Sequence, residues 1–203
     1  EIIRFGGYKF YRGVLATDGG QLWIVGGESF GTGYLDRADL QKGSLENRIT
    51  IDRELDAICA LDSNHWIIAG FGTIMITADA GVKWDTLVER DHWRDVCKIA
   101  KGSAIAVGIS GNIIRTRDYG QNWATVRRGA NFLGPGLPLR TVAFASPTHG
   151  IAAGENGAVL RTHDGGDNWV RLEGLPEINY LDIQVQGDHY WLCGSDGTVI
   201  RVE

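Results

Sequence analysis

The stretch Thr162-His163-Asp164-Gly165-Gly166-Asp167-Asn168-Trp169 decides the fold, because its pattern occurs three times. The same spelling, Thr-x-Asp-x-Gly-x-x-Trp, returns at residues 116–123 and 77–84. We call each copy a box. Copies of one pattern at a regular interval predict a repeat architecture, in which every copy marks one supersecondary unit.

The residues around each box predict short β-strands. Apolar runs of four or five residues beginning at Val142, Gly150 and Ala158 precede the third box, and another run begins at Trp169. Turn residues separate these runs, and the same order surrounds the other two boxes. No segment has the periodicity of an amphipathic helix. We therefore expect units of four antiparallel strands.

Two further units keep this frame without a complete box. One begins near Val14, and the other begins near Leu181 and stops one strand short at Glu203. The missing strand is supplied in sequence by residues 4–12, which overlay residues 163–171 when their glycine pairs are aligned. The units follow one another at intervals of about 40 residues, as in propeller blades.

These observations predict one domain, a five-bladed β-propeller over residues 1–203, closed by the N-terminal strand completing the last blade. The alternative is an open β-solenoid, which needs capping termini instead of complementary ones. The predicted blades span residues 14–51, 55–90, 94–128, 140–174, and 181–203 together with 1–12.

Composition excludes several functional classes. The 203 residues carry a formal charge of -5, which argues against a nucleic-acid partner, since such proteins present a basic face. No apolar run approaches the roughly 20 residues that a membrane-spanning helix needs, so we expect no membrane insertion. The 29 glycines, at about twice the usual share of roughly 7%, indicate many tight turns.

Neither a metal nor a cofactor is indicated by the sequence. The three cysteines, Cys59, Cys97 and Cys193, match no metal-ligand spacing, and the five histidines show none either. Phosphate-binding loops and nucleophile elbows are absent. We predict no cofactor and no catalytic residue.

The three boxes resemble the Asp-box, or bacterial neuraminidase repeat. The spelling of residues 160–169 is also similar to propellers of the photosystem II assembly and stability factor type. This resemblance implies a propeller fold in the sialidase-like superfamily, an assembly, receptor or scaffold role, and a secreted, periplasmic or lumenal compartment. The chain starts at Glu1 with no signal-like segment, so its location is otherwise unknown.

We expect the box residues to build the scaffold. The aspartate closes a turn by accepting hydrogen bonds from backbone amides, the glycine supplies a positive φ, and the tryptophan wedges between blades. The aspartates lie on different blades and are therefore too far apart for shared chemistry. The expected structural residues are Asp79, Gly81, Trp84, Asp118, Gly120, Trp123, Asp164, Gly166 and Trp169.

Recognition is expected on the opposite face, where charged and aromatic loops gather. Arg94 and Arg140 precede equivalent inner strands and should point to the mouth of the central channel. They would make a basic entrance that suits a carboxylate, a sulfated or acidic sugar, or an acidic protein segment. The candidate binding residues are Arg90, His92, Trp93, Arg94, Phe132, Arg140, Glu155, Tyr180 and Asp196.

The sequence favours a non-enzymatic propeller that binds a protein partner. Two alternatives stay open. One is a lectin-like module with carbohydrate-binding pockets repeated between blades. The other is a glycoside hydrolase of the sialidase-like superfamily, in which Glu155 and Asp196 on neighbouring loops would supply the two carboxylates.

Overall fold

The computed structural model describes residues 9–18, 20–40, 42–129 and 136–203, which fold as β-strands joined by turns. The strands in chain order are β1 (Tyr11–Ala16), β2 (Leu22–Glu28), β3 (Thr32–Asp39), β4 (Ser44–Ile51), β5 (Leu55–Ala60), β6 (Trp66–Thr77), β7 (Asp85–Ala100), β8 (Ser103–Gly108), β9 (Ile113–Thr116), β10 (Ala124–Arg127), β11 (Leu139–Phe144), β12 (Gly150–Gly154), β13 (Val159–Thr162), β14 (Val170–Arg171), β15 (Tyr180–Gln186), β16 (His189–Gly194) and β17 (Val199–Val202). A short 3-10 turn occupies Ser195–Gly197.

The strands form an all-β, four-bladed propeller. Its four antiparallel sheets are β1-β2-β3-β4, a six-stranded sheet from β5 to β10, β11-β12-β13-β14, and β15-β16-β17. The prediction of five blades with four strands each is therefore wrong. Consecutive strands are hydrogen-bonded neighbours within each sheet, as the short Gly-containing turns between them predicted.

The difference lies in β7, which is continuous where we expected a loop between two blades. Its first part pairs with β6 up to His92, opposite Phe71, and its second part pairs with β8 from Trp93 onward. The carboxylate of Asp91 accepts hydrogen bonds from the backbone of His92 and Ser110, which holds the crossing point in place. The second and third predicted blades are consequently one sheet.

Only the end of the predicted N-terminal closing strand lies in the described part of the chain. Tyr11 pairs with Gly26, and the carbonyl of Phe10 accepts a hydrogen bond from Gly27 at 3.0 Å, so residues 10–12 belong to the first sheet. The last sheet has three strands in the described part of the chain. The rest of the predicted closing strand, residues 1–8, lies outside the described residues.

Apolar side chains fill the space between successive units along the chain. Four clusters of buried residues occupy these spaces, and each combines strands from two neighbouring units. Ile105, for example, packs with Leu160, and Ile151 packs with Leu192. Full burial of one such side chain is worth about 1.5–3 kcal/mol, so these clusters account for most of the scaffold's stability.

The third box forms a compact turn held by its own side chains. Thr162 Oγ1 donates to Asp164 Oδ1 at 2.8 Å and accepts from the N–H of Gly166 at 2.9 Å. Asp164 Oδ1 also accepts from the N–H of Asn168 at 2.9 Å, and the indole of Trp169 donates to the carbonyl of Gly166 at 3.1 Å. The hydrogen bond from Asn168 holds the pKa of Asp164 well below its usual range.

The other two boxes make the same four hydrogen bonds between equivalent atoms. Their glycines Gly81 and Gly120 have φ values of 84° and 88°, and Gly166 has 91°. A Cβ on Gly166 would come within 2.8 Å of Ile105 on the preceding unit. Each box therefore combines a left-handed backbone with close packing against its neighbour.

Candidate binding face

Five inner strand segments surround the centre of the propeller: β1, β5, the second part of β7, β11 and β15. Each carries a register irregularity near its first residues. An extra residue in one strand of an antiparallel pair re-aims a side chain, so two successive residues can face the same side. This feature explains why residues adjacent in sequence meet in one cavity.

We call this cavity the mouth. It has a volume of about 540 Å³ and lies among the starts of the inner segments. Its charged side chains come from all five segments and are Arg12, Asp56, Arg94, Asp95, Arg140 and Asp182. Two pairs of consecutive residues line the mouth together: Arg94 with Asp95, and Leu181 with Asp182.

A glycine at the end of each second strand permits this close approach. Gly154 lies opposite Leu139, and a Cβ on Gly154 would collide with the carbonyl oxygen of Pro138. The same carbonyl accepts a hydrogen bond from the N–H of Glu155 at 2.9 Å. Only glycine fits here without displacing the backbone, which accounts for the glycine found at this position in every unit.

The deepest part of the charge network is formed by Asp56. Its Oδ1 lies 2.8 Å from Nη1 of Arg94, and its Oδ2 lies 2.7 Å from Nε2 of His92. Arg12 reaches the same region and pairs with the buried carboxylate of Glu54. Nη1 of Arg94 is also 3.2 Å from His92 Nε2. An arginine can only donate, so we place the imidazole proton on the shorter contact, toward Asp56.

Arg140 is paired as well. Its Nε lies 3.0 Å from Oε1 of Glu155, and Nη2 contacts the same oxygen. Every arginine that lines the mouth thus has a carboxylate partner from this chain. The expected basic entrance is therefore corrected to a charge-balanced one, because the bulged strands bring aspartates and glutamates to the same place.

Asp95 connects the second and third sheets. Its carboxylate accepts from the N–H groups of Val96 and Val142, both at 2.8 Å. Burial raises the pKa of Asp95 to about 6 despite these bonds, and the charge of Asp182 adds to the shift. A carboxylate that titrates near neutrality therefore sits at the wall of the mouth.

The structure corrects the exposure expected of three candidate residues. Trp93 is 1% exposed and belongs to an apolar cluster, and Tyr180 is 0% exposed and donates to the carbonyl of Pro176. His92 is buried against Asp56. Each begins or precedes an inner strand whose first residues face the core, which is why an aromatic side chain was favoured there.

Two of the remaining candidates line the mouth, and a third pairs with one of them. Arg94 and Arg140 line it, Glu155 pairs with Arg140, and Arg90 is exposed on β7. Asp196 is exposed on the 3-10 turn with a φ of 59°. Phe132 lies outside the described residues.

Sequence reasoning missed two exposed aromatic residues beside the mouth. Phe30 and Phe71 are 54% and 42% exposed, and their ring centroids lie 5.2 Å apart. Both rings pack edge-to-face against the imidazole of His92, with ring centroids 5.5 Å apart for Phe30 and 5.4 Å apart for Phe71. The available signal was an aromatic residue next to glycine in the loops between second and third strands.

The described ranges offer neither a metal-binding group nor a membrane-spanning helix. They contain no group of three or more His, Cys, Asp or Glu side chains arranged to hold a metal ion. None of their helical segments has the length and apolar character required to cross a membrane.

Comparison with known proteins identifies the fold. No protein-family model and no curated protein matches the sequence. Among solved structures, virginiamycin B lyase from Staphylococcus aureus is similar at a TM-score of 0.73 and 13% identity, over 95% of this chain and 69% of the lyase. The WD40 propeller domain of Doa1 is similar at a TM-score of 0.65 and 13% identity, over 97% of this chain and 79% of that domain's chain. YCF48 bound to D1 peptide has a TM-score of 0.48 and 16% identity, over 95% of this chain and 93% of the YCF48 chain. The likenesses to the lyase and to the Doa1 domain, at these low identities, show only that the chain has a β-propeller fold.

Proposed function

We propose that this protein is a non-catalytic propeller that binds a protein partner through its mouth face, meaning the mouth and the loops around it. The observation that carries the proposal is the set of bulged inner strands, which turn arginine and aspartate side chains from five segments into one cavity. Such an arrangement offers many directed donors and acceptors on a rigid scaffold, as protein recognition requires.

The asymmetry of the mouth favours one extended partner over repeated sugar sites. The bulged positions carry Arg12, Asp56, Arg94, Arg140 and Leu181, so no two neighbouring segments present the same chemistry except Arg94 and Arg140. A lectin-like module would present quasi-equivalent pockets between units. The mouth is a single site with a distinct group on each side, which favours a protein surface.

A glycosidase mechanism has less support. It needs two carboxylates facing one bond, roughly 5–9.5 Å apart, with one of them free to donate a proton. Glu155 is tied to Arg140 by an ion pair, and Asp196 lies on an exposed turn. Neither arrangement favours the proton transfers of glycoside hydrolysis.

We also assign the boxes to the Asp-box type, on the strength of their recurring Thr-Asp-Gly-Trp hydrogen bonds. The resemblance to photosystem II assembly and stability factors supports an assembly or receptor role in a secreted, periplasmic or lumenal compartment. The boxes lie at the opposite rim from the mouth, and we assign them no part in recognition.

Partner capture with matched variants tests the proposal. The Arg94→Ala/Arg140→Ala protein should recover much less partner than the wild type, as should Leu181→Arg, which fills the mouth without removing a buried ion-pair partner. The Arg117→Ala/Arg201→Ala protein removes two exposed arginines outside the mouth and should recover the wild-type amount. Equal recovery by all four proteins would exclude the mouth as the binding site.

A further inference from the structure

We propose that the partner is anchored beside the mouth, on the pair formed by Phe30 and Phe71, by a segment that carries an aromatic or large aliphatic residue next to a carboxylate. This inference rests on the proposed function and names the chemistry of the partner. It follows from a strained turn, an exposed aromatic pair and two arginines that have no carboxylate partner in the part of the chain that the structure describes.

The turn that holds Phe30 is conformationally unfavourable. Ser29 and Phe30 have φ values of 52° and 62°, and the N–H of Gly31 donates to the carbonyl of Glu28. Two successive residues with positive φ are typical of turns that prefer Asn-Gly, and a bulky side chain is disfavoured in this region. The fold therefore retains Phe30 at a position where glycine would be more stable.

The strained backbone at Phe30 is offset by little packing of its side chain inside the fold. Tyr119 has a similar φ of 61°, but its ring stacks on His65 at 4.2 Å and covers Gly102. The ring of Phe30 leaves more than half of its surface open to solvent, and that of Phe71 leaves nearly half. Strain kept for an exposed aromatic side chain points to recognition.

The backbone of Phe71 is fixed while its side chain stays open. Its N–H donates to the carbonyl of Glu54 at 2.8 Å, a bond that Ile109 repeats with His92 in the next unit. Gly72, with a φ of 62°, then turns the chain. The two rings thus form a fixed apolar platform above the buried His92.

Arg90 brings a positive charge to the border of this platform, and Arg128 shares a cleft with it. Arg90 lies on β7 between Val88, which pairs with Thr73, and His92, which pairs with Phe71, so it borders the Gly72 turn. Arg90 and Arg128 line a cleft of about 240 Å³. Across the described residues, neither guanidinium has a carboxylate partner, in contrast to the arginines of the mouth.

The same cleft contains a buried donor without an acceptor. Trp93 lines it, and the indole Nε1 of Trp93 has no hydrogen-bond partner among the described residues. The lining has two arginines and one acid, Glu89, so its charge favours an anionic group. A carboxylate is the protein group that pairs best with a guanidinium, and an aromatic neighbour would cover Phe30 and Phe71.

Short capped peptides test this chemistry directly. The probe is acetyl-Gly-Glu-Phe-Glu-Gly-amide, compared with peptides in which lysine replaces glutamate or serine replaces phenylalanine. NMR titration follows the backbone amides of Phe71 and Gly72 and the indole N–H of Trp93. We expect saturable shifts with the acidic aromatic peptide, and binding weaker by at least about tenfold with each of the other two.

Variants separate recognition from stability. Phe30→Gly should raise the melting temperature, because it removes the strained turn residue, and should weaken peptide binding by about tenfold or more. Arg90→Ala should weaken binding similarly without that stabilisation. Val82→Ala, which shortens an exposed side chain in the first box, should leave binding unchanged.

The outcomes distinguish this inference from the proposed function. Equal binding of the acidic and basic peptides, or full binding by Phe30→Gly, would overturn the inference even if mouth variants still lose the partner. Peptide binding that depends on Phe30 and Arg90 would support the inference, whatever the mouth variants do. Full recovery of the partner by the Arg94→Ala/Arg140→Ala protein would count only against the mouth as a binding site.

Discussion

The Nε2 atom of His92 lies 2.7 Å from Oδ2 of Asp56, and both side chains are buried. This contact joins two parts of the mouth face. On one side, Phe30 and Phe71 cover the imidazole. On the other, Arg94 pairs with the same aspartate at the edge of the cavity. The aromatic platform and the charged mouth are therefore parts of one connected structure.

Removing Asp56 should destabilise the fold strongly. Asp56→Ala leaves His92 and Arg94 without their shared acceptor, and loss of one partner in a buried ion pair costs about 3–5 kcal/mol. Urea unfolding measures the change. The control is Asp52→Ala, an exposed acid in the loop that precedes β5, which should change stability by no more than about 0.5 kcal/mol. Similar losses for both variants would contradict the described network.

Glycines in the left-handed region should differ in their tolerance of alanine. Gly166 and Gly174 have φ values of 91° and 79°, but a Cβ would meet Ile105 only at Gly166, and Gly174 has no atom within 4 Å. Gly174→Ala should cost about 1–2 kcal/mol through backbone strain. Gly166→Ala should cost about 1–3 kcal/mol more, because the packed neighbour must move. Thermal unfolding checks the difference, and equal losses would argue against the packing of the box on the preceding unit.

Stability should fall as pH rises from about 4 to 6 because of Asp95. Burial raises its folded-state pKa to about 6, above its ordinary value of 3.8. Asp95 therefore contributes fully to the free energy of unfolding when it is protonated in both the folded and the unfolded state. This contribution is lost as pH rises through about 6. The Asp95→Asn protein should lack this part of the pH dependence. An unchanged slope in that variant would exclude Asp95 as the group responsible.

The box aspartates should act in the opposite direction at lower pH. Hydrogen bonds from Asn168 lower the pKa of Asp164, so its contribution is present above the unfolded-state value near pH 4 and is lost as pH falls below it. Asp164→Asn should lower the melting temperature at pH 7 and have a smaller effect at pH 2.5. The same loss at both values would indicate that the charge of Asp164 is unimportant.

Much of the scaffold could be predicted from the sequence, because its signals are local. Glycine and the Thr-Asp-Gly-Trp pattern specify turns through hydrogen bonds within eight residues, and the apolar runs between them became strands. The number of sheets could not be obtained in this way. Residues 89–95 look like a charged loop, but Asp91 bonds to the backbone of the neighbouring turn and lets β7 continue through them.

The candidate site was predictable only in part. Arg94 and Arg140 occupy equivalent positions in the repeat, and both line the mouth. Their neutralisation depends on Asp56 and Glu155, which are distant in sequence and meet them through sheet pairing. The strained backbone at Phe30 leaves no clear sequence signal, since its conformation follows from the strands on either side.

Site-specific photocrosslinking tests the central claim most directly. A benzoylphenylalanine placed at Phe30, Phe71 or Leu181 reports contacts of the mouth face, and one placed at Val82 or Val170 reports contacts elsewhere on the exposed surface. We predict partner adducts from the first three positions and none from the last two. Adducts from Val82 or Val170, with none from the mouth face, would contradict the account.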